Sequence, residues 1–187
     1  MGLRQVRLTL ALKLPICAFD AKTGILCAMC ESKLRNGDIT KSDVEASKAL
    51  IRLADRVTEL NKVTLRRSFE AGGNFVLEFE PSDLQHLRSN PALFKELEGA
   101  LKGKVWVVGA GGSDRKFLED IFFPAKVVTV NTVWLTDGGK RTKVIVPGRR
   151  SERYTGDFEK LRDMVKQARG IELLVETERE ALLRTWS

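Results

Sequence analysis

The sequence predicts an α+β protein of two tandem units, each a small three-stranded sheet with helices on one face, preceded by a short cysteine-containing segment. Three observations carry this expectation. Helical and strand periodicities follow one another in the order helix, hairpin, helix, strand, and that order recurs after roughly 65 residues, which argues for an internal duplication. The chain of 187 residues is 43% apolar and 30% charged, the balance of a folded protein with enough length for two small cores. Between the two runs lies only the glycine-rich stretch 109–112, too short to let two domains move independently.

The elements follow in order. Residues 1–16 alternate Arg4, Arg7 and Lys13 with Val6, Leu8, Leu10 and Leu12, which reads as a strand and lacks the continuous apolar stretch of a secretory signal. Residues 40–59 carry Val44, Leu50, Ile51, Leu53, Ala54 and Val57 at helical spacing, and Ser42 with Glu45 forms the pattern of a capping box. Residues 64–70 and 74–80 form a hairpin around Ala71-Gly72-Gly73, the second strand alternating Phe75, Leu77 and Phe79 as a half-buried strand does. Pro81 opens a short helix to Leu87, Asn90-Pro91 interrupts it, residues 92–101 form another helix, and 104–108 a strand. The second run repeats this with a helix over 116–123 ended by Pro124, a strand over 126–135, a turn at 136–139, a return strand over 142–146, a helix over 157–168 and a strand over 171–175. The boundaries that follow are 1–38 for the N-terminal segment, 40–109 and 110–177 for the two units, and 178–187 for a tail.

The order α-β-β-α-α-β resembles the type II KH fold, and two such units fused closely resemble archaeal NusA-like proteins. The segment from Asp114-Arg115-Lys116-Phe117 through Phe122-Phe123-Pro124 to Val127 is similar to the helix-Pro-strand passage that opens the second unit of that family. The resemblance covers residues 41–176 and implies an RNA-binding factor of transcription elongation or termination. KH domains hold the nucleic-acid backbone at a GxxG loop between two helices. The first unit has Leu87-Arg88-Ser89-Asn90-Pro91 there, without glycine. The second has residues 147–156, which keep Gly148, Gly156 and three arginines but not the spacing.

Charge agrees with a polyanionic partner: 32 Lys and Arg against 25 acids give a net charge of +7. Thermophile-like charge density gives a similar excess, so its distribution decides. Residues 138–153 hold Lys140, Arg141, Lys143, Arg149, Arg150 and Arg153 against the single acid Glu152, and these six form the expected nucleic-acid surface, with Tyr154 beside them.

Cys17, Cys27 and Cys30 all lie in the first thirty residues. Cys27-Ala28-Met29-Cys30 is a CxxC, and Cys17-Ala18-Phe19-Asp20 repeats the spacing with Asp20 in the fourth place, so Cys17, Asp20, Cys27 and Cys30 are candidate ligands of one structural zinc. A metal-free knuckle of buried thiols and a redox pair with Cys17 stand beside that reading.

Other signals point to no chemistry. Val107-Val108-Gly109-Ala110-Gly111-Gly112 imitates a dinucleotide fingerprint, but the third glycine falls at Asp114, whose carboxylate repels a pyrophosphate. The single histidine, His86, has no adjacent nucleophile with which to build a hydrolytic triad. No apolar run approaches the roughly 20 residues of a membrane span. The expectation is therefore a cytoplasmic non-enzyme whose partner is RNA, with no membrane and no small-molecule substrate. The alternative is a docking protein of RNA polymerase or the ribosome in which the KH pair mediates protein contacts.

Overall fold

A computed structural model describes residues 12–134, 139–147 and 158–185. It is an α+β structure with two three-stranded mixed sheets and eight helices among the described residues. Helices α1 (Ala18–Thr23) and α2 (Ala28–Asn36) precede the first unit. That unit comprises α3 (Lys41–Ala54), β1 (Leu65–Ala71), β2 (Asn74–Phe79), α4 (Leu84–Arg88), α5 (Pro91–Leu101) and β3 (Val105–Gly109). The second comprises α6 (Asp114–Ile121), β4 (Thr129–Trp134), β5 (Lys140–Val146), α7 (Phe158–Arg169) and β6 (Leu173–Thr177), and α8 (Glu178–Thr185) follows.

Both sheets have the same pattern. β1 pairs antiparallel with β2 through the Gly72-Gly73 turn, where both residues have positive φ, and β2 pairs parallel with β3. β4, β5 and β6 repeat the arrangement. The expected turn at 136–139 falls almost wholly outside the described residues, as does the strand expected over 1–16 apart from its end. There Lys13 makes an isolated bridge to Thr64.

The cap of α3 differs from the expected Ser42 and Glu45. Thr40 is the N-cap, its hydroxyl accepting from the Asp43 amide while the Asp43 carboxylate accepts from the Thr40 amide. Asp43 wins because it also accepts from the Ser68 amide and so ties α3 to β1, whereas Glu45 points into solvent. Thr40→Val should lower stability by about 1 kcal/mol, as loss of an N-cap does, and Glu45→Gln by less than about 0.5 kcal/mol. Denaturant unfolding of the two variants checks the assignment, which equal effects would contradict.

β2 also departs from expectation. It is buried on both faces along its whole length, not half-buried. Phe75, Leu77 and Phe79 turn toward α3 and α5 in one core, and Val76 joins Trp106 and Val108 of β3 in a second core with Phe117, Leu118, Ile121 and Phe122 of α6 and Leu161, Met164 and Val165 of α7. The helices of the second unit thus lie between the two sheets, covered below by β1, β2 and β3 and above by Val144, Val146 and Leu173. Alternation along β2 reports which residues share a face; a second unit supplied the other cover.

Ion pairs cross this interface. Arg169 of α7 meets Glu78 of β2 at 3.2 Å, and Arg88 of α4 meets the buried Asp120 of α6 at 3.0 Å. Burial pushes the Glu78 carboxyl up, against the pull of Arg169. Asp120 also accepts from the Gly109 amide and from Lys116, so one carboxylate joins the last strand of the first unit to the first helix of the second. Phe117, Ile121 and Phe122 are fully buried, but Phe123 is 36% exposed under the guanidinium of Arg88, 4.5 Å from its ring centroid.

Candidate metal centre and nucleic-acid surface

Cys17 and Cys27 are the N-caps of α1 and α2, which places Asp20 and Cys30 at the third helical position of each. The two four-residue turns are therefore alike in conformation, and each presents its pair of side chains at a helix start. Gly24, at φ +78°, ends α1 in the left-handed conformation and lets the chain return for the second turn. Ile16, Ala21 and Cys30 join the core under α3, which anchors the segment.

One ligand atom from each of Cys17, Asp20, Cys27 and Cys30 lies within 4.8 Å of all the others. Tetrahedral zinc with sulfur at about 2.3 Å requires sulfur atoms about 3.8 Å apart, so the cluster is of the size that a structural ion needs. Asp20 is fully buried, with one carboxylate oxygen accepting from the Cys27 amide at 2.9 Å and the other, Oδ1, without a hydrogen-bond partner. A buried carboxylate oxygen with no hydrogen-bond donor, in a residue that also brings an oxygen within 4.8 Å of three sulfurs, suits a bound cation. The hydrogen bond from the Cys27 amide holds the Asp20 carboxyl well below the usual range, so it is an anion ready to ligate. Burial pushes the Cys30 thiol up to about 12, so metal binding there displaces a proton. The four side chains lie together and can hold a metal ion, in keeping with one structural zinc. Cys17 and Cys27 are exposed and Cys30 is buried, with all three thiols free.

Of the six basic residues expected to bind nucleic acid, Lys140, Arg141 and Lys143 of β5 are among those the structure describes. Arg149, Arg150 and Arg153, with Tyr154, lie outside the described residues. Along β5, Arg141 and Lys143 share one face and Lys140 projects from the other. Lys143 is paired with buried Glu176 at 2.7 Å, and Arg141 approaches Glu172 at 3.5 Å. Glu176 on β6 and Glu172 just before it, acids that sequence distance concealed, thus reach the same face.

The α4–α5 junction of the first unit closes on itself. Asn90 caps α5, accepting from the amides of Ala92 and Leu93, and its side chain donates to Glu59. Donors that a phosphate would need are already taken. Beside this junction a cleft of about 540 Å³ opens between the units, bordered by Arg88, Ser89, Gly112, Lys116 and Phe123. The 109–112 stretch that imitates a dinucleotide fingerprint forms part of its wall. His86, in α4, contributes its carbonyl to the Ser89 hydroxyl.

Among the described residues, no helix is long and apolar enough to cross a membrane. No protein-family model matches the chain, and no curated protein does. Among solved structures, one titled "Crystal structure of APE1850" is similar at 15% identity and a TM-score of 0.47, with 70% of this chain and 96% of that chain covered.

Proposed function

We propose that the chain is a non-enzymatic RNA-binding protein of the NusA-like tandem KH type, acting in archaeal transcription elongation or termination, with the second unit as its RNA contact. The observation that carries this reading is the repeated sheet: antiparallel then parallel pairing in both units, with the full helix-strand-strand-helix-helix-strand order in the first. The basic stretch 140–153 supplies the cations. The metal centre has a structural part, fixing the N-terminal segment to α3.

Expected behaviour is affinity for single-stranded RNA that falls steeply with salt, by a factor of ten to the power of about 0.7 per decade of salt for each phosphate neutralised. Arg149→Ala with Arg150→Ala should weaken binding across sequences and reduce that slope by about 1.4. Anisotropy titrations at several salt concentrations measure both. Unchanged affinity and slope would remove the loop from the site.

A second reading, docking on RNA polymerase or the ribosome, draws on the self-capped α5 and on the pairing of Arg141 and Lys143 with acids. It requires association with either assembly that persists in salt where RNA binding is lost.

A further inference from the structure

The end of the second hairpin reaches past the third strand of its sheet. β6 joins β5 only from Thr142, which faces Leu173, so Val133, Trp134, Lys140 and Arg141 form a two-stranded ribbon beyond it. On that ribbon Trp134 is 71% exposed, and Lys140 lies directly opposite on the same face. Asn131 and Thr132 of the same edge strand are exposed as well. The contrast with Trp106, which is buried in the core between the units, is informative. An indole offers about 150–250 Å² of area for burial, and Trp134 keeps most of its own in water beside a cation.

A flat aromatic face next to a lysine combines the two interactions that unpaired nucleic acid seeks. Every base has a face that can stack on an aromatic ring, and every linkage has a phosphate that a cation can neutralise. In a duplex the faces are already stacked on neighbouring bases, so only a single strand can use the indole. Resting on the RNA reading above, we infer that Trp134 and Lys140 form a stacking platform for single-stranded RNA. One unpaired base lies on the indole and a flanking phosphate meets the Lys140 ammonium. Arg141, on the other face of the ribbon, adds a second cation, since its 3.5 Å pair with Glu172 is between half-exposed side chains and exchanges readily for a phosphate.

The test is fluorescence anisotropy of the full chain with a labelled oligouridine, and with a blunt RNA duplex of equal length. Trp134→Ala should weaken oligouridine binding roughly 5- to 150-fold, the share of one stacked base, and Trp134→Phe should restore most of it. Its salt slope should stay as in the wild type, because a stack neutralises no phosphate, whereas Lys140→Ala should lower the slope by about 0.7. Duplex binding should be the same with and without Trp134. Wild-type affinity of Trp134→Ala for oligouridine, or an equal loss on both probes, would overturn the platform while leaving RNA binding standing. A wild-type chain that binds neither probe would overturn the RNA reading itself.

Discussion

Phe122→Asp is expected to unfold both units together. The side chain is fully buried in the core that Val76, Trp106 and Val108 of the first unit share with α6 and α7. Removing the ring alone costs about 3–5 kcal/mol, and a carboxylate without a partner in apolar packing adds to it, so the variant should lose at least about 4 kcal/mol. For a chain of this size that is a fall in melting temperature of about 10 °C or more. The neighbouring Phe123→Asp makes the control. Phe123 is partly exposed against Arg88, and an acid there exchanges a cation–π contact for an ion pair, at a cost of about 1 kcal/mol. Calorimetry should show one transition for the wild type and for both variants. Two separate transitions, or equal losses from the two substitutions, would mean that the units do not depend on this shared core.

Purified protein is expected to carry about one zinc per chain and to lose it on Cys27→Ser. Cys27 supplies one of four ligand atoms, and its amide donates the hydrogen bond that orients Asp20, so the serine variant keeps the backbone and removes only the sulfur. Binding to isolated zinc peptides is worth about 10–16 kcal/mol; here the segment also packs on α3, so chelation should cost less, on the order of 3 kcal/mol, or roughly 10 °C. Hydrogen exchange should rise in α1 and α2 and remain slow in β2. The metal should also leave as pH falls, because its thiolates take protons back. Metal-free protein whose melting temperature ignores chelator would show that the four side chains meet without holding an ion.

Local order was legible in the sequence. Gly72-Gly73, Asn90-Pro91 and the short segment between β3 and α6 mark the breaks, and a period of two or of 3.6 residues names the elements between them. The metal centre was legible for the same reason. Its ligands sit in two like turns within fourteen residues, so spacing alone brings them close. The capping box was misplaced by two residues because Thr40 and Ser42 are both good caps, and the choice between them was made by Asp43 reaching Ser68 on a strand 25 residues away.

What only the tertiary structure decided is what lies across each face. Periodicity groups Val76 with Glu78 but carries no sign of the α7 that buries the one and pairs the other with Arg169, 91 residues on. It collects Lys140, Arg141 and Lys143 into one basic run, which the strand divides between two faces and Glu172 and Glu176 partly neutralise. It gives Trp134 the same apolar character as Trp106, and the fold buries one and exposes the other. Side-chain periodicity is a property of the local backbone, whereas burial and pairing depend on residues distant in the chain that close the other side.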